Sequence, residues 1–149
     1  MKTSKLLCIT IISIFTYSCN SDDDDSNSIS QNYSELIIGE WGFTSQTLNG
    51  NNIDFDDECQ QNNEYQIYSS NGIYEQTEFE NLTGNGCEQV SSSNGTWMID
   101  DNILNFTQNG DSYSAEILEL NESILRYKLS IDYDEDGNLD EFTQTLTKL

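Results

Sequence analysis

The chain has 149 residues, enough for one domain with a modest core. It carries 27 Asp and Glu against 5 Lys and Arg, a formal charge of -22, with no His and no Pro. That charge repels nucleic acid and anionic lipid head groups and suits cations or a basic partner, while eight Tyr, six Phe and two Trp argue against complete disorder.

Residues 1–18 read as a secretion signal. Lys2 and Lys5 give a positive start, and the apolar run Leu6 to Phe15 is too short to span a bilayer as a lasting helix. The segment "TYSC" ends in Cys19 and resembles the lipobox of bacterial lipoproteins, in which the Cys is acylated and becomes the first mature residue. Ser18 fits the small residue before that Cys; Thr16 and Tyr17 depart from the usual pattern. Ordinary cleavage near Ser18 is the alternative.

Residues 19–32 follow as an acidic tether, "NSDDDDSNSISQN" after the Cys, without an apolar core and therefore expected to be disordered. A Ser-Asp-rich run at this place resembles the export signal of Bacteroidetes lipoproteins carried to the outer face of the outer membrane. After cleavage only Arg126, Lys128 and Lys148 remain against all 27 acids.

The domain is expected over 33–149. "YSELIIG" (Tyr33 to Gly39) suits one helical turn. From Glu40 onward, short runs rich in Tyr, Phe, Ile, Thr and Leu alternate with turn signals, among them Asn-Gly at 49–50, 71–72 and 94–95. Eight strands are expected, at 40–48, 63–69, 72–79, 95–100, 103–108, 112–120, 123–132 and 141–149. Leu125, Tyr127, Leu129 and Ile131 share one face, as do Tyr113, Ala115 and Ile117, and Leu104 and Phe106. No helical period appears after residue 40. An all-β fold follows. An eight-stranded antiparallel up-and-down barrel removes exposed edges; a two-sheet sandwich is the alternative, but its crossings need longer connections.

Of the four cysteines, Cys8 leaves with the signal and Cys19 takes the lipid. Cys59 and Cys87 remain, one in each of the two long connections, 49–62 and 80–94. In an oxidising compartment a Cys59–Cys87 disulfide is the simple outcome, worth roughly 3–4 kcal/mol by the chain-entropy estimate. Two free thiols are the alternative.

Gly39 and Trp41 in "IIGEWGFTSQTLNG" look like the Gly-x-Trp opening of lipocalin-type barrels. The later "GNGCEQVSSSNGTWMIDDNILNF" and "YSAEILELNESILRYKL" are similar to the small lipocalin-like domains of Bacteroidetes lipoproteins. This resemblance covers about 35–149. It implies an eight-stranded barrel and leaves the ligand open.

Chemistry is sparse. No His is present to act as a base, no nucleophile elbow accompanies the serines, and carboxylate pairs arise by accident among 27 acids. An enzyme is not expected. One site stands out: Asp132, Asp134 and Asp136 alternate, Gly137 permits a sharp turn, and Asn138 and Asp140 complete the run. Calcium takes six to eight oxygens and suits such a turn. An EF-hand fails, because Thr143 holds the twelfth place and the flanks look like strands. The pattern resembles the Asp-x-Asp-x-Asp-Gly-x-x-Asp calcium hairpins of integrin-type β-propellers. The plain alternative is a solvated Asp-rich turn.

These readings lead to a monomeric, lipid-anchored protein of the outer membrane, exposed at the cell surface. Its barrel is expected to bind a small or apolar ligand, with calcium clamping the last hairpin. The alternative is an interaction module with a filled barrel, meeting a protein or a glycan.

Overall fold

The computed structural model describes residues 32–84 and 86–149. The signal at 1–18, Cys19 and the tether up to residue 31 lie outside the described residues. A helical turn, α1 (Tyr33–Leu36), leads into β1 (Gly39–Leu48) and a short β2 (Asn51–Ile53). Helix α2 (Glu58–Asn63) precedes β3 (Tyr65–Tyr68) and β4 (Ile73–Glu80). Strands β5 (Glu88–Asp100), β6 (Ile103–Gln108), β7 (Asp111–Leu120), β8 (Ile124–Ile131) and β9 (Asp140–Lys148) complete the domain.

Each of β3 to β8 pairs antiparallel with the strand that follows it. β1 closes the ring: it pairs with β3 from Gly39↔Tyr68 and with β9 from Trp41↔Lys148 to Leu48↔Phe142. The barrel therefore has the expected eight strands, β1 and β3 to β9, and is closed. β2 is an addition. It pairs with the end of β1 (Gln46↔Ile53), where β3 no longer reaches.

One end of the barrel is tight. It carries the turns 69–72, 101–102 and 121–123, and α1 lies beside it. Trp41, fully buried, donates Nε1–H to the Ile37 carbonyl at 2.7 Å. Lys148 Nζ donates to the Leu36 carbonyl at 3.2 Å and stands 5.1 Å from the Trp41 ring centre. Gly39 lies at φ 141, and a methyl there would meet Lys148 Cε at 2.6 Å, so glycine is needed for the lysine to cross. The other end carries the long connections 49–64, 81–87 and 132–139.

The alternating faces fall as read. Leu104, Ala115, Leu125 and Leu146 are fully buried with Trp41, Tyr68 and Tyr74, and Tyr127, Phe106 and Ile117 nearly so. Trp97, Phe106, Tyr113 and Tyr127 point into one aromatic cluster, with Phe106 stacked on Tyr113 at 5.2 Å and Tyr68 edge-on to Trp97 at 5.8 Å.

Three expectations are corrected. Helix α2 falls where a connection, 49–62, was expected. Its six residues are too short for a period, and it is held by its cap: Asp57 accepts N–H bonds from Cys59 (2.7 Å) and Gln60 (2.9 Å). The connection 49–62 is accordingly a hairpin strand plus a helix, and the following strand begins at Tyr65. The strand expected at 95–100 begins at Glu88, because "EQVSSS" ladders onto β4 through its backbone while its side chains stay mostly exposed. Asn94-Gly95, read as a turn, lies within that strand.

Gly95 is glycine for a steric reason. A methyl at 95 would stand 1.9 Å from the Thr107 carbonyl oxygen of β6. The close approach also lets Thr107 Oγ1 accept the Thr96 N–H at 2.8 Å. Gly95→Ala must push β5 and β6 apart. It is expected to destabilise the fold by about 1–3 kcal/mol, in the range of other overpacking changes. Urea denaturation of the variant against the parent checks this; an unchanged midpoint would contradict the close approach.

Candidate functional site at the acidic end of the barrel

The barrel axis is polar where the long connections begin. Alternation in β3, β4, β8 and β9 places Gln66, Gln76, Tyr127 and Gln144 inward. Tyr127 Oη donates to Gln144 Oε1 at 2.7 Å and receives Gln66 Nε2–H at 3.1 Å. Tyr68 Oη donates to Gln66 Oε1 at 2.9 Å, and Tyr74 Oη to Gln76 Oε1 at 2.8 Å. Among the described residues no buried side-chain nitrogen or oxygen lacks a partner. A buried phenol or amide without one would cost roughly 1–3 kcal/mol, so this network fixes the rotamers along the axis. Burial pushes the Tyr68, Tyr74 and Tyr127 hydroxyls well above the usual phenol range, and the three stay neutral.

The ladder runs outward to carboxylates. Gln76 Nε2 reaches Glu78 Oε1 at 3.5 Å, and Ser91 Oγ donates to the other Glu78 oxygen. Beside it, Glu64 is only 8 % exposed. Its Oε1 accepts the Phe79 N–H at 3.2 Å. Burial, offset in part by that hydrogen bond and reinforced by Glu78, Asp57 and Asp56, pushes the Glu64 carboxyl up to about 7. A pocket of about 410 Å³ opens here between α2 and β4, lined by Asp56, Asp57, Gln60, Glu64, Gln76, Glu78, Phe79 and Glu80. A second pocket of about 390 Å³ lies on the other side of α2, against β1 and β2, with Gln46, Phe55 and Gln61 in its wall.

Helix α2 is thus a cover with a pocket on each side. Cys59, fully buried in α2, is bonded to Cys87 in the β4–β5 connection, with Cα atoms 5.4 Å apart. The expected disulfide is present and ties the cover to the strand pair below it.

At the same end the connection 132–139 is wholly exposed. One carboxylate oxygen from each of Asp132, Asp134 and Asp136 lies within 4.8 Å of the others. The loop is shaped by short-range bonds: Asp132 accepts Gly137 N–H at 3.0 Å, Asp134 accepts Asp136 N–H at 3.2 Å, and Asp136 accepts Asn138 N–H at 2.8 Å. The Asn138 bonds hold the Asp136 carboxyl below the ordinary value. Gly137 has φ 90, as a turn here requires, and Glu135 also adopts positive φ at 60. Asp140 stands apart from the triplet. Its oxygens accept from Asn49 Nδ2 (2.7 Å) and Tyr133 N–H (3.2 Å), while Asn49 Oδ1 accepts Glu141 N–H at 3.0 Å. Asn138 turns its side-chain amide onto Asp136 at 3.0 Å.

Sequence reasoning missed Glu64, Gln66, Gln76, Glu78 and Gln144. The signal was present for one of them: Gln144 sits between Phe142 and Leu146 on the inward face of β9.

Glu64 sets a pH dependence. Its folded value lies above its unfolded one, so the folded state holds an extra proton between about pH 4.5 and 7. The group's contribution is therefore most favourable below the unfolded value and is lost as pH rises through about 7. Glu64→Gln is expected to be more stable than the parent by about 2 kcal/mol at pH 8, with the gap closing towards pH 4.5. Paired denaturation curves at several pH values measure this; a gap independent of pH would contradict it.

The model of the lipocalin-like domain matches residues 37–127. No curated protein matches the sequence. Among solved structures, the bovine lipocalin allergen Bos d 2 is 15 % identical, with 78 % of this chain and 75 % of that chain covered at a TM-score of 0.48. Lobster apocrustacyanin A1 is 13 % identical, with 82 % and 64 % covered at 0.45. A deswapped triple mutant of the bovine odorant binding protein is 15 % identical, with 76 % and 74 % covered at 0.41. The family rests on the match over 37–127, which spans well over half of the chain and includes the Gly39-x-Trp41 opening and both bonded cysteines: the chain belongs to the lipocalin-like domain family.

Proposed function

We propose that this is a lipid-anchored binding protein of the outer membrane, held at the cell surface as a monomer by acylated Cys19. In this reading it takes a small ligand at the open end of its barrel and acts by binding, not catalysis. The observation that carries the reading is the hydrogen-bonded ladder from Tyr127 through Gln66 and Gln76 to Glu78, which ends in a pocket of about 410 Å³ under α2. Pockets of this size with a few convergent polar groups suit small molecules. The axis itself is taken up by Trp41, Tyr68, Tyr74 and Tyr127, so the ligand is placed at the end of the barrel. Those same four rings favour a second reading, a filled scaffold whose loops meet a protein or glycan.

Native mass spectrometry of the full chain as isolated distinguishes the two. Small-ligand binding gives a co-purified or added small molecule that stays bound in a one-to-one complex. A scaffold gives the bare mass with every small molecule offered.

Calcium belongs to the proposal as a structural ion. Asp132, Asp134 and Asp136 supply its carboxylates, and an ion there relieves their mutual repulsion. Asp140, bonded to Asn49, ties the loop to β1. Millimolar calcium is expected to raise the melting temperature by several degrees, EDTA to reverse the rise, and Asp134→Ala to abolish it. Equal melting curves with and without calcium would remove the ion from the account.

A further inference from the structure

The ring of strands is complete, but β5 outruns one of its neighbours. Along one edge it pairs with β4 from Glu80↔Glu88 to Ile73↔Thr96. Along the other it pairs with β6 only from Trp97↔Phe106 to Asp100↔Ile103. The β6 ladder has already ended at Thr96, whose N–H goes to the Thr107 side chain at 2.8 Å and not to a carbonyl. β6 then turns into β7 at Asn109-Gly110. Gln108 reaches back across with its side chain, Nε2 donating to Ser93 Oγ at 2.8 Å. Among the described residues no strand pairs with 88–94 on this side.

The backbone directions along this edge follow from its upper end. Trp97 donates its N–H to the Gly72 carbonyl on the β4 side at 2.9 Å, and Thr96 donates the opposite way. The register with β4 runs without a shift from Thr96 to Ser91, so the alternation carries down the strand. Gly95, Ser93 and Ser91 face β4. Asn94 and Ser92 turn N–H and C=O to the open side. Seven extended residues make about 23 Å of edge. The side chains at 88–92 and 94 are exposed, the apolar Val90 among them. Edges of this kind are commonly kept from pairing by a lysine, a proline or a bulge. Residues 88–94 hold no Lys and no Pro. The register shift between Ser91 and Gln89 leaves Ser92 and Asn94 in plain alternation. On the far flank of the β4–β5 ribbon the disulfide-held α2 gives cover.

Charge decides what fits this edge. It begins at Glu88, which stands opposite Glu80, and Glu75 stands opposite Asn94. No Lys or Arg lies between residues 49 and 125. The three basic side chains of the described residues are engaged elsewhere: Arg126 meets Glu119 at 3.7 Å, Lys128 meets Glu116 at 3.2 Å, and Lys148 lies over Trp41 at the tight end. A second copy would bring another formal charge of -22 to the contact, and the chain's own run Asp22 to Asp25 is acidic as well. We infer that the open edge of β5 at 88–94 receives an extended basic segment of another protein, which adds antiparallel beside β5 in the place that β6 leaves. Its backbone bonds to Ser92 and Asn94, and its Lys or Arg side chains lie near Glu75, Glu80 and Glu88. The ladder holds the segment and the charge selects it. This goes beyond small-ligand binding, and no β5 residue lines the pocket under α2.

The test is titration of the full chain, as isolated, with the fluorescein-labelled peptide Thr-Lys-Val-Lys-Val-Lys-Thr, read by anisotropy. One control peptide carries Glu in place of Lys. The other keeps the lysines but is N-methylated throughout, which removes its backbone donors. The lysine peptide is expected to bind, and each control to bind weaker by about tenfold or more. Hydrogen exchange locates the contact: the peptide is expected to slow the Ser92 and Asn94 amides by about tenfold and to leave Ser91 and Ser93, which face β4, unchanged. Ser92→Pro removes a donor from the open side alone and is expected to weaken the lysine peptide by about tenfold. No binding of the lysine peptide, equal binding of either control, or protection outside β5 would each overturn the proposal. So would Ser92 and Asn94 amides that are already slow before peptide is added, since a second copy or the chain itself then covers the edge. If Ser92→Pro does not fold, exchange at Ser92 and Asn94 in the parent decides.

Discussion

Everything in this domain depends on β1 being held along both of its edges. β9 takes one edge from Trp41 to Leu48. The other edge is shared, by β3 at Gly39 to Gly42 and by β2 at Gln46 to Leu48. An unpaired edge would leave a row of backbone donors and acceptors open to other chains. Closing it here joins strands from the two ends of the domain and seals the interior. The plug of Ile37, Trp41 and Lys148 then shuts one end, so water can approach the axis only from the other.

A sealed interior dictates what its polar side chains can do. Tyr68, Tyr74, Tyr127, Gln66 and Gln144 are buried and are satisfied by one another and by the half-buried Gln76. The resulting network is rigid and fills space that an apolar ligand would need. It also orients the amides so that the polarity increases towards the open end, where Glu78 and Glu64 take over. Open space is thereby moved from the centre of the barrel to its rim, where the acidic connections converge.

Much of the fold was legible because backbone conformation and burial left separate marks. Asn49-Gly50 and Asn109-Gly110 are true turns with positive φ at both residues, the pattern tight hairpins favour. Leu125, Tyr127 and Leu129 alternate because β8 has one wet face. Asn94-Gly95 carries the same letters as the real turns, but its glycine answers to the approach of Thr107, a neighbour that no local pattern announces. Helix α2 and the first half of β5 were hidden because neither buries an apolar stripe; a cap holds one and a backbone ladder holds the other. The cysteine pair was legible from arithmetic, as the two left over in the two long connections. The pocket was not, since Glu64 and Glu78 look like any other acids in a chain with 27 until the sheet brings them under α2.

The disulfide has a consequence for the order of assembly. Cys59 and Cys87 are 28 residues apart, and the segment they enclose contains β3, the 69–72 turn and β4. The Lys148–Leu36 contact that helps to shut the barrel spans 112 residues. Loop closure over the shorter separation is entropically cheaper and faster. Oxidative folding therefore needs only the middle third of the chain to begin. The covalent ring around the β3–β4 hairpin can form while β9 is still distant, giving the later strands a fixed template on which to register.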